Sequence, residues 1–307
     1  MESKILECEV ITPMFCYGAN KNNPELRPSS IKGMMRYMFR ISQLTLRTEE
    51  LLKQENELFG DAIENPSPVR LAILGEKIKS GSSQFLFHKK TSPRNFISLG
   101  TRFNLRVSLR SNLQPSKDIH FYESLLELSF LLIGIGGRSR KGRGRVQSSS
   151  TFPKSLSAEE MKQEIRKCLN KLAISSEYEL TGDEIKPLVW EDKKIKRPVI
   201  EKIEFGQPIQ KQRDKEAWKI LLTRLDDASS QTKHEYNKGE KRTCRVLGQA
   251  SSPRFSSSLI VGAVETADGL LPIYTCVRAV AKQTVLQAED EWNSFIKKME
   301  AKGGNRS

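Results

Sequence analysis

Two-residue alternation and helical spacing of apolar positions take turns along the first half of the chain. Residues 3–15 carry Ile5, Val10 and Ile11 and run into a turn at Pro13, which predicts a strand. A polar loop with Gly18, Asn20, Asn22, Asn23 and Pro24 follows. Ser29 or Ser30 then occupies the position of a helix N-cap, ahead of Ile31, Met34, Met35, Met38 and Ile41 at helical spacing over 31–44. A second helix is expected over 49–58, stopping at Phe59-Gly60. Strand-like stretches come at 69–78 and 84–88. The clearest is 101–110, where Phe103, Leu105, Val107 and Leu109 alternate with Asn104, Arg106, Ser108 and Arg110. An apolar helix over 118–133 and a returning strand over 143–151 complete the series. The order is strand–helix–strand–strand–helix–strand with an extra hairpin in the middle. It predicts an α+β class and a ferredoxin-like, RRM-type domain over residues 1–152.

The second half is less regular. Helices are expected over 158–172 and 214–225 and a strand over 199–205. Residues 228–258 are polar and read as a flexible, loop-like stretch. Two antiparallel strands, 259–264 and 271–277, join across Asp268-Gly269, and an amphipathic helix over 283–299 ends before a frayed tail from Lys302. This predicts a second, less regular ferredoxin-like domain over 153–307.

Composition adds a partner class. The 307 residues hold 51 Lys+Arg against 37 Asp+Glu, a formal charge of +14, which favours an anionic partner such as nucleic acid or an acidic membrane surface. No run of apolar residues is long enough to span a bilayer, and acids stand in the first residues where a signal peptide would be basic. Five scattered cysteines, with no Cys-x-x-Cys pair, fit neither a disulfide framework nor a zinc site. A cytoplasmic chain without metal or cofactor is expected.

The candidate chemistry lies in two basic segments. Residues 132–146 read Leu-Ile-Gly-Ile-Gly-Gly-Arg-Ser-Arg-Lys-Gly-Arg-Gly-Arg-Val. Gly136, Gly137, Gly142 and Gly144 let backbone approach a ligand closely. Arg138, Arg140, Lys141, Arg143 and Arg145, with Ser139 among them, supply phosphate-recognising charge. The run follows a helix and opens a strand, and Arg143-Gly144 stands where a Walker A loop needs Lys-Ser/Thr. Nucleotide-loop readings therefore fail. A solvated basic turn is the plain alternative, but so many neighbouring cations repel one another unless an anion is present.

The second segment is the first helix. Lys32, Arg36 and Arg40 stand at i, i+4 and i+8 and form one cationic stripe. Ser29 and Ser30 mark a helix N-terminus, which favours anions, and Arg27 enters from the preceding loop. Gly33 costs about 1 kcal/mol of helix propensity relative to Ala, which makes sense if something approaches closely there.

Three blocks carry a family resemblance. They are Glu25-Leu-Arg-Pro-Ser-Ser-Ile-Lys-Gly-Met-Met-Arg-Tyr-Met-Phe-Arg, Glu57-Leu-Phe-Gly, and the glycine-rich run from Gly134. Together they resemble the RAMP superfamily of CRISPR proteins. The form Leu-Arg-Pro-Ser-Ser-Ile-Lys-Gly is most similar to subunit one of type III-B (Cmr) RNA-guided effectors. Ser252-Pro-Arg-Phe-Ser-Ser-Ser-Leu-Ile resembles a further stretch of such subunits, with Ser258 where proline is usual, and adds Arg254 to the RNA-contacting candidates. The resemblance implies two ferredoxin-like domains, binding of guide RNA near its 3′ end and of target RNA, contact with neighbouring RAMP subunits, and no catalysis.

Cutting backbone subunits of this superfamily use an aspartate between strand one and the first helix. Residues 12–30 contain none here, and Glu25 is their only acid. Guide-processing RAMP ribonucleases usually employ a histidine, whose pKa suits general acid/base work. Of His88, His120 and His234, only His88, beside Lys89 and Lys90, invites that reading. A non-catalytic RNA-binding subunit is therefore expected. A guide-processing endoribonuclease and an assembly cap with incidental RNA contact are the alternatives.

Overall fold

The computed structural model describes residues 2–20, 22–61, 63, 65–75, 78–84, 92–113, 115–174, 177–188, 197–210, 216–236, 244, 246–248, 256–278 and 285–301. His88 with most of the strand expected over 84–88, Arg254, most of 237–255 and the tail from Lys302 lie outside them.

The first half alternates as its pattern predicts. Strand β1 (Ser3–Val10) leads to α1 (Pro28–Ser42) and α2 (Thr48–Phe59), then β2 (Val69–Leu74). A hairpin of β3 (Ser80–Gln84) and β4 (Pro93–Ile97) is inserted before β5 (Arg102–Leu109), α3 (Ile119–Leu128) and β6 (Val146–Ser148). The sheet order β2-β5-β1-β6 is antiparallel throughout, with Ser3 opposite Ser108 and Val10 opposite Val146. Counting only the four strands of this sheet, it is the ferredoxin-like order. Alternation sends Leu6, Cys8, Val10, Phe103, Leu105 and Val107 inward and leaves Ile5, Glu7, Asn104 and Arg106 on the opposite, exposed face.

Helix α1 buries Ile31, Met34, Met35, Met38, Phe39 and Ile41. It begins earlier than the serines suggest. Pro28 takes the first helical position, where its fixed φ and missing N–H cost nothing, so Arg27 is the N-cap and Ser29 and Ser30 fall inside the first turn. Helix α3, capped by Asp118 accepting from the Phe121 N–H at 2.8 Å, passes into a π-helical turn, Ser129–Ile133.

The second half builds a five-stranded antiparallel sheet, ordered β10-β11-β9-β8-β7. Its elements are α4 (Ala158–Leu172), β7 (Tyr178–Thr181), β8 (Glu184–Pro187), β9 (Ile200–Phe205), α5 (Ala217–Tyr236), β10 (Leu259–Thr266), β11 (Gly269–Val277) and α6 (Val285–Glu300). Strand β8 occupies the edge of β9 that a closing strand would fill in a regular ferredoxin-like unit, which is the source of the irregularity. The short β7–β8 pair had no clear sequence signal. Helix α5 runs eleven residues past the predicted end. Ala228 and Thr232 continue the buried row of Leu221 and Leu225, so the start of the polar stretch is helical.

The layers stack as sheet, helices, sheet, helices. One continuous core joins Leu6 and Leu105 of the first sheet, Ile31 of α1, Leu125 of α3, Phe130 of the π turn and Ile165 of α4 to Ile260, Val264 and Ile273 of the second sheet. The other face of β10 and β11 presents Val261, Ala263, Leu270 and Tyr274 to Leu221 and Leu225 of α5 and Trp292 and Phe295 of α6. At Gly262 a Cβ would lie 2.6 Å from the Leu131 carbonyl oxygen, so only glycine lets β10 sit this close to the π turn. Among the described residues no helix is long and apolar enough to cross a membrane.

Candidate nucleic-acid interface

The glycine–arginine loop starts where the π turn stops, at Gly134, whose N–H donates to the Ser129 carbonyl at 2.9 Å. It leaves the surface again along β1. The Ile135 N–H donates to the Gly144 carbonyl, the Gly144 N–H to Pro13, and the Arg145 N–H to Thr12 Oγ1, each at 2.9–3.0 Å. A Cβ at Gly144 would fall 1.9 Å from the Ile135 carbonyl oxygen, and its φ is +68°, so this crossing requires glycine. At its far side the loop joins the second sheet. Lys141 bridges Val261, and the Val261 N–H donates to the Arg140 carbonyl at 3.0 Å.

The five cations divide by direction. Arg143 and Arg145 are both 0% exposed. Arg143 donates to Asp226 Oδ2 of α5 at 2.6 Å and to the Lys141 carbonyl at 2.8 Å. Arg145 donates to the Ser139 carbonyl at 2.7 Å and to the Val261 carbonyl, and burial pulls its pKa down to about 9. Their guanidinium groups fasten the loop to the second half and face no solvent. Gly142 is buried too, against Leu222 and Leu225.

The outward part is shorter. Gly136 and Gly137 are exposed, and Arg138, Ser139, Arg140 and Lys141 are partly exposed. Arg138 takes φ +57°, the only positive φ of a non-glycine among the described residues, and reaches Asp226 Oδ1 at 3.4 Å. Arg140 donates to the Ser257 carbonyl at 2.7 Å and to Tyr37 Oη at 2.8 Å, with its guanidinium 5.2 Å from the Tyr37 ring centroid. Tyr37 is thus a stacking support for Arg140. Burial, with the Lys233 and Arg138 charges nearby, pushes the Lys141 ammonium down to about 7.

Residues 15–16 connect this strip to the start of α1. The Gly137 N–H donates to the Phe15 carbonyl at 2.7 Å, the Cys16 carbonyl accepts from the Glu25 N–H at 2.8 Å, and Cys16 meets the Ser30 hydroxyl. Burial raises the Cys16 thiol. Arg27, Ser29 and Gly33 are exposed along that turn, and Gly33 stands one helical turn before Tyr37. A Cβ at Gly33 would meet nothing within 4 Å, so nothing inside the protein demands glycine there.

The Lys32–Arg36–Arg40 stripe exists, but Lys32 and Arg36 turn away from the loop. Arg36 donates to the buried Glu55 of α2 at 2.9 Å and to the Phe59 and Gly60 carbonyls. Arg40 lies 3.4 Å from the same carboxylate. Lys32 donates to Ser67 Oγ and, at 3.5 Å, to the Val69 carbonyl. The structure therefore brings Arg27, Ser29, Ser30, Gly33, Gly136, Gly137, Arg138, Ser139 and Arg140 into one strip, places Lys32 and Arg36 on its far flank, and leaves exposed Arg40 between Glu55 and Tyr37. Asp226 and Val261, which hold the loop, carry no motif, while Ser257 falls within the 252–260 stretch singled out for Arg254.

Comparison with known proteins bears on the family and the fold. Residues 7–147 match the RAMP superfamily, a span that holds both basic segments. The CRISPR system Cmr subunit Cmr1-2 of Pyrococcus furiosus is 26% identical over 179 residues, covering 48% of this chain and 95% of that protein. The apo crystal structure of Cmr1 from Pyrococcus furiosus superposes with a TM-score of 0.59 at 17% identity, over 98% of both chains. A chain of the cryo-EM structure of the type III-B Cmr-beta complex bound to cognate target RNA and AMPPnP gives 0.60 at 13% identity, over 96% of this chain and 98% of that one. At such identities the superpositions establish a shared fold. Residues 7–147, a little under half of the chain, thus match the RAMP superfamily, and the whole chain shares the fold of Cmr1.

Proposed function

We propose that this protein is a non-catalytic RNA-binding subunit of a cytoplasmic type III-B CRISPR effector complex. Its strip holds the sugar–phosphate backbone of guide or target RNA near the guide 3′ end, beside neighbouring RAMP subunits. The observation that carries this is the strip itself: two exposed glycines and partly exposed Arg138 and Arg140 set against a helix turn whose Gly33 is left open. Such contacts fix register and give affinity without reading bases. A Cmr-beta complex bound to target RNA contains a chain of the same fold, which supports the partner class. The absence of aspartate from residues 12–30 supports holding over cutting.

The test is binding of a labelled single-stranded RNA across a salt series. Arg138→Gln with Arg140→Gln is expected to weaken binding and to flatten the slope of log K against log salt by about 1.4, at roughly 0.7 per phosphate. An unchanged slope in a protein with an unchanged unfolding midpoint overturns the reading. Incubation with repeat RNA checks the catalytic alternative, since site-specific cleavage lost in His88→Ala would replace holding by processing.

A further inference from the structure

On the other flank of α1 a second basic cleft opens, of about 610 Å³. It lies between the first turn of α1 and the β2 edge of the first sheet. Its cations are Lys32 from the helix and Arg70, Arg106 and Arg110 from the sheet, and Ser29, Ser67 and Ser108 add hydroxyls. The register explains why the sheet arginines converge. Arg70 pairs with Ser108, and Ala72 with Arg106, so Arg70 and Arg106 stand diagonally on the exposed face of adjacent strands. Arg110 follows directly, its N–H tied to the Pro68 carbonyl at 2.9 Å.

Three observations mark this cleft as fitted to an anion. No carboxylate is among its lining residues. The Arg110 Nε is buried with no hydrogen-bond partner among the described residues. Lys32 is pushed down to about 8 by burial, with the Arg36 and Arg110 charges adding to it. No aromatic side chain lines the cleft, so it offers phosphate contacts and hydroxyls and no platform for a base.

We infer that this cleft is a second phosphodiester-binding site, in which Arg70, Arg106, Arg110 and Lys32 hold the backbone of an RNA strand that crosses α1 at Gly33 from the loop strip. The inference rests on the RNA-binding reading above and extends it to residues outside the glycine-rich run and the α1 block. Ser29 belongs to both sites, and exposed Gly33 lies between them on the same helix turn, where the missing side chain leaves a passage.

The experiment uses the purified full chain and a labelled 20-nucleotide unstructured RNA, titrated with salt. Arg70→Gln with Arg106→Gln, both exposed positions, is expected to flatten the slope by about 1.4, and adding Arg110→Gln to bring the loss to about 2. The same loss is expected on RNA without terminal phosphates, as internal diesters require. Its disappearance on such RNA would make the cleft an end-binding pocket and overturn the proposal. Unchanged slopes in both cleft variants, with Arg138→Gln/Arg140→Gln still weakened, would remove the cleft and leave the first reading standing. Unchanged slopes in every variant would remove both. Loss of a co-purifying subunit at unchanged RNA affinity would assign the cleft to an acidic protein surface and overturn the RNA site.

Discussion

Five cations that look alike in the sequence do three different jobs. Arg143 and Arg145 are internal fasteners, Arg140 leans on Tyr37, and Arg138 and Lys141 sit at the boundary with solvent. Only the outer ones can meet a phosphate without rearranging the protein. Gly33 is the sharpest residue-scale test, because the helix gains and the proposed interface loses from the same methyl. Gly33→Ala is expected to raise stability by up to about 1 kcal/mol, since Ala is the better helix former and its Cβ has open space. The same variant is expected to bind RNA more weakly. Urea unfolding and RNA titration on one preparation check both halves, and undiminished binding would mean that nothing crosses the helix there.

At the scale of elements, the loop is shaped by what it lands on. Helix α5 supplies Asp226, 1% exposed, to Arg143 and Arg138, while β10 supplies Val261. Asp226→Ala leaves the Arg143 charge buried without that carboxylate, and a broken buried pair costs about 3–5 kcal/mol. A loss of that size in denaturant unfolding, with increased proteolysis within residues 134–145, is expected. A change below 1 kcal/mol would show that the other contacts of Arg143 suffice. The same helix shows why a polar composition misleads. Residues 228–232 read as loop because Ser, Gln and Thr dominate, yet Ala228 and Thr232 keep the helical row facing the second core. The apolar face of α1 and the strand pattern of 102–109 were legible because periodicity there is local and strong. The β7–β8 pair was not, because four-residue strands carry too few alternations.

For the whole molecule, the two halves have separate sheets and a shared interior. The first sheet's helices form the floor of the second sheet, and the loop's arginines are satisfied across the join. We propose that the two ferredoxin-like halves, 1–152 and 153–307, unfold together. All three tryptophans, Trp190, Trp218 and Trp292, lie in the second half, so their fluorescence reports on it alone while far-ultraviolet circular dichroism reports on both. Coincident urea transitions by the two probes are expected, the usual mark of a two-state system. An earlier fluorescence transition would mean that the halves are independent.

The sequence by itself determined the alternation of elements, the ferredoxin-like order of the first half and the presence of a glycine-rich basic loop. Each of these is written in spacing over a few residues, where backbone geometry enforces periods of two or 3.6. Tertiary structure alone decided which cations face outward and where the second basic cleft forms. Arg143 meets Asp226 across 83 residues of chain, and Arg70, Arg106 and Lys32 converge only when strands pair and a helix packs on them. A charge is free or consumed according to its neighbours in space, and no local pattern encodes those neighbours.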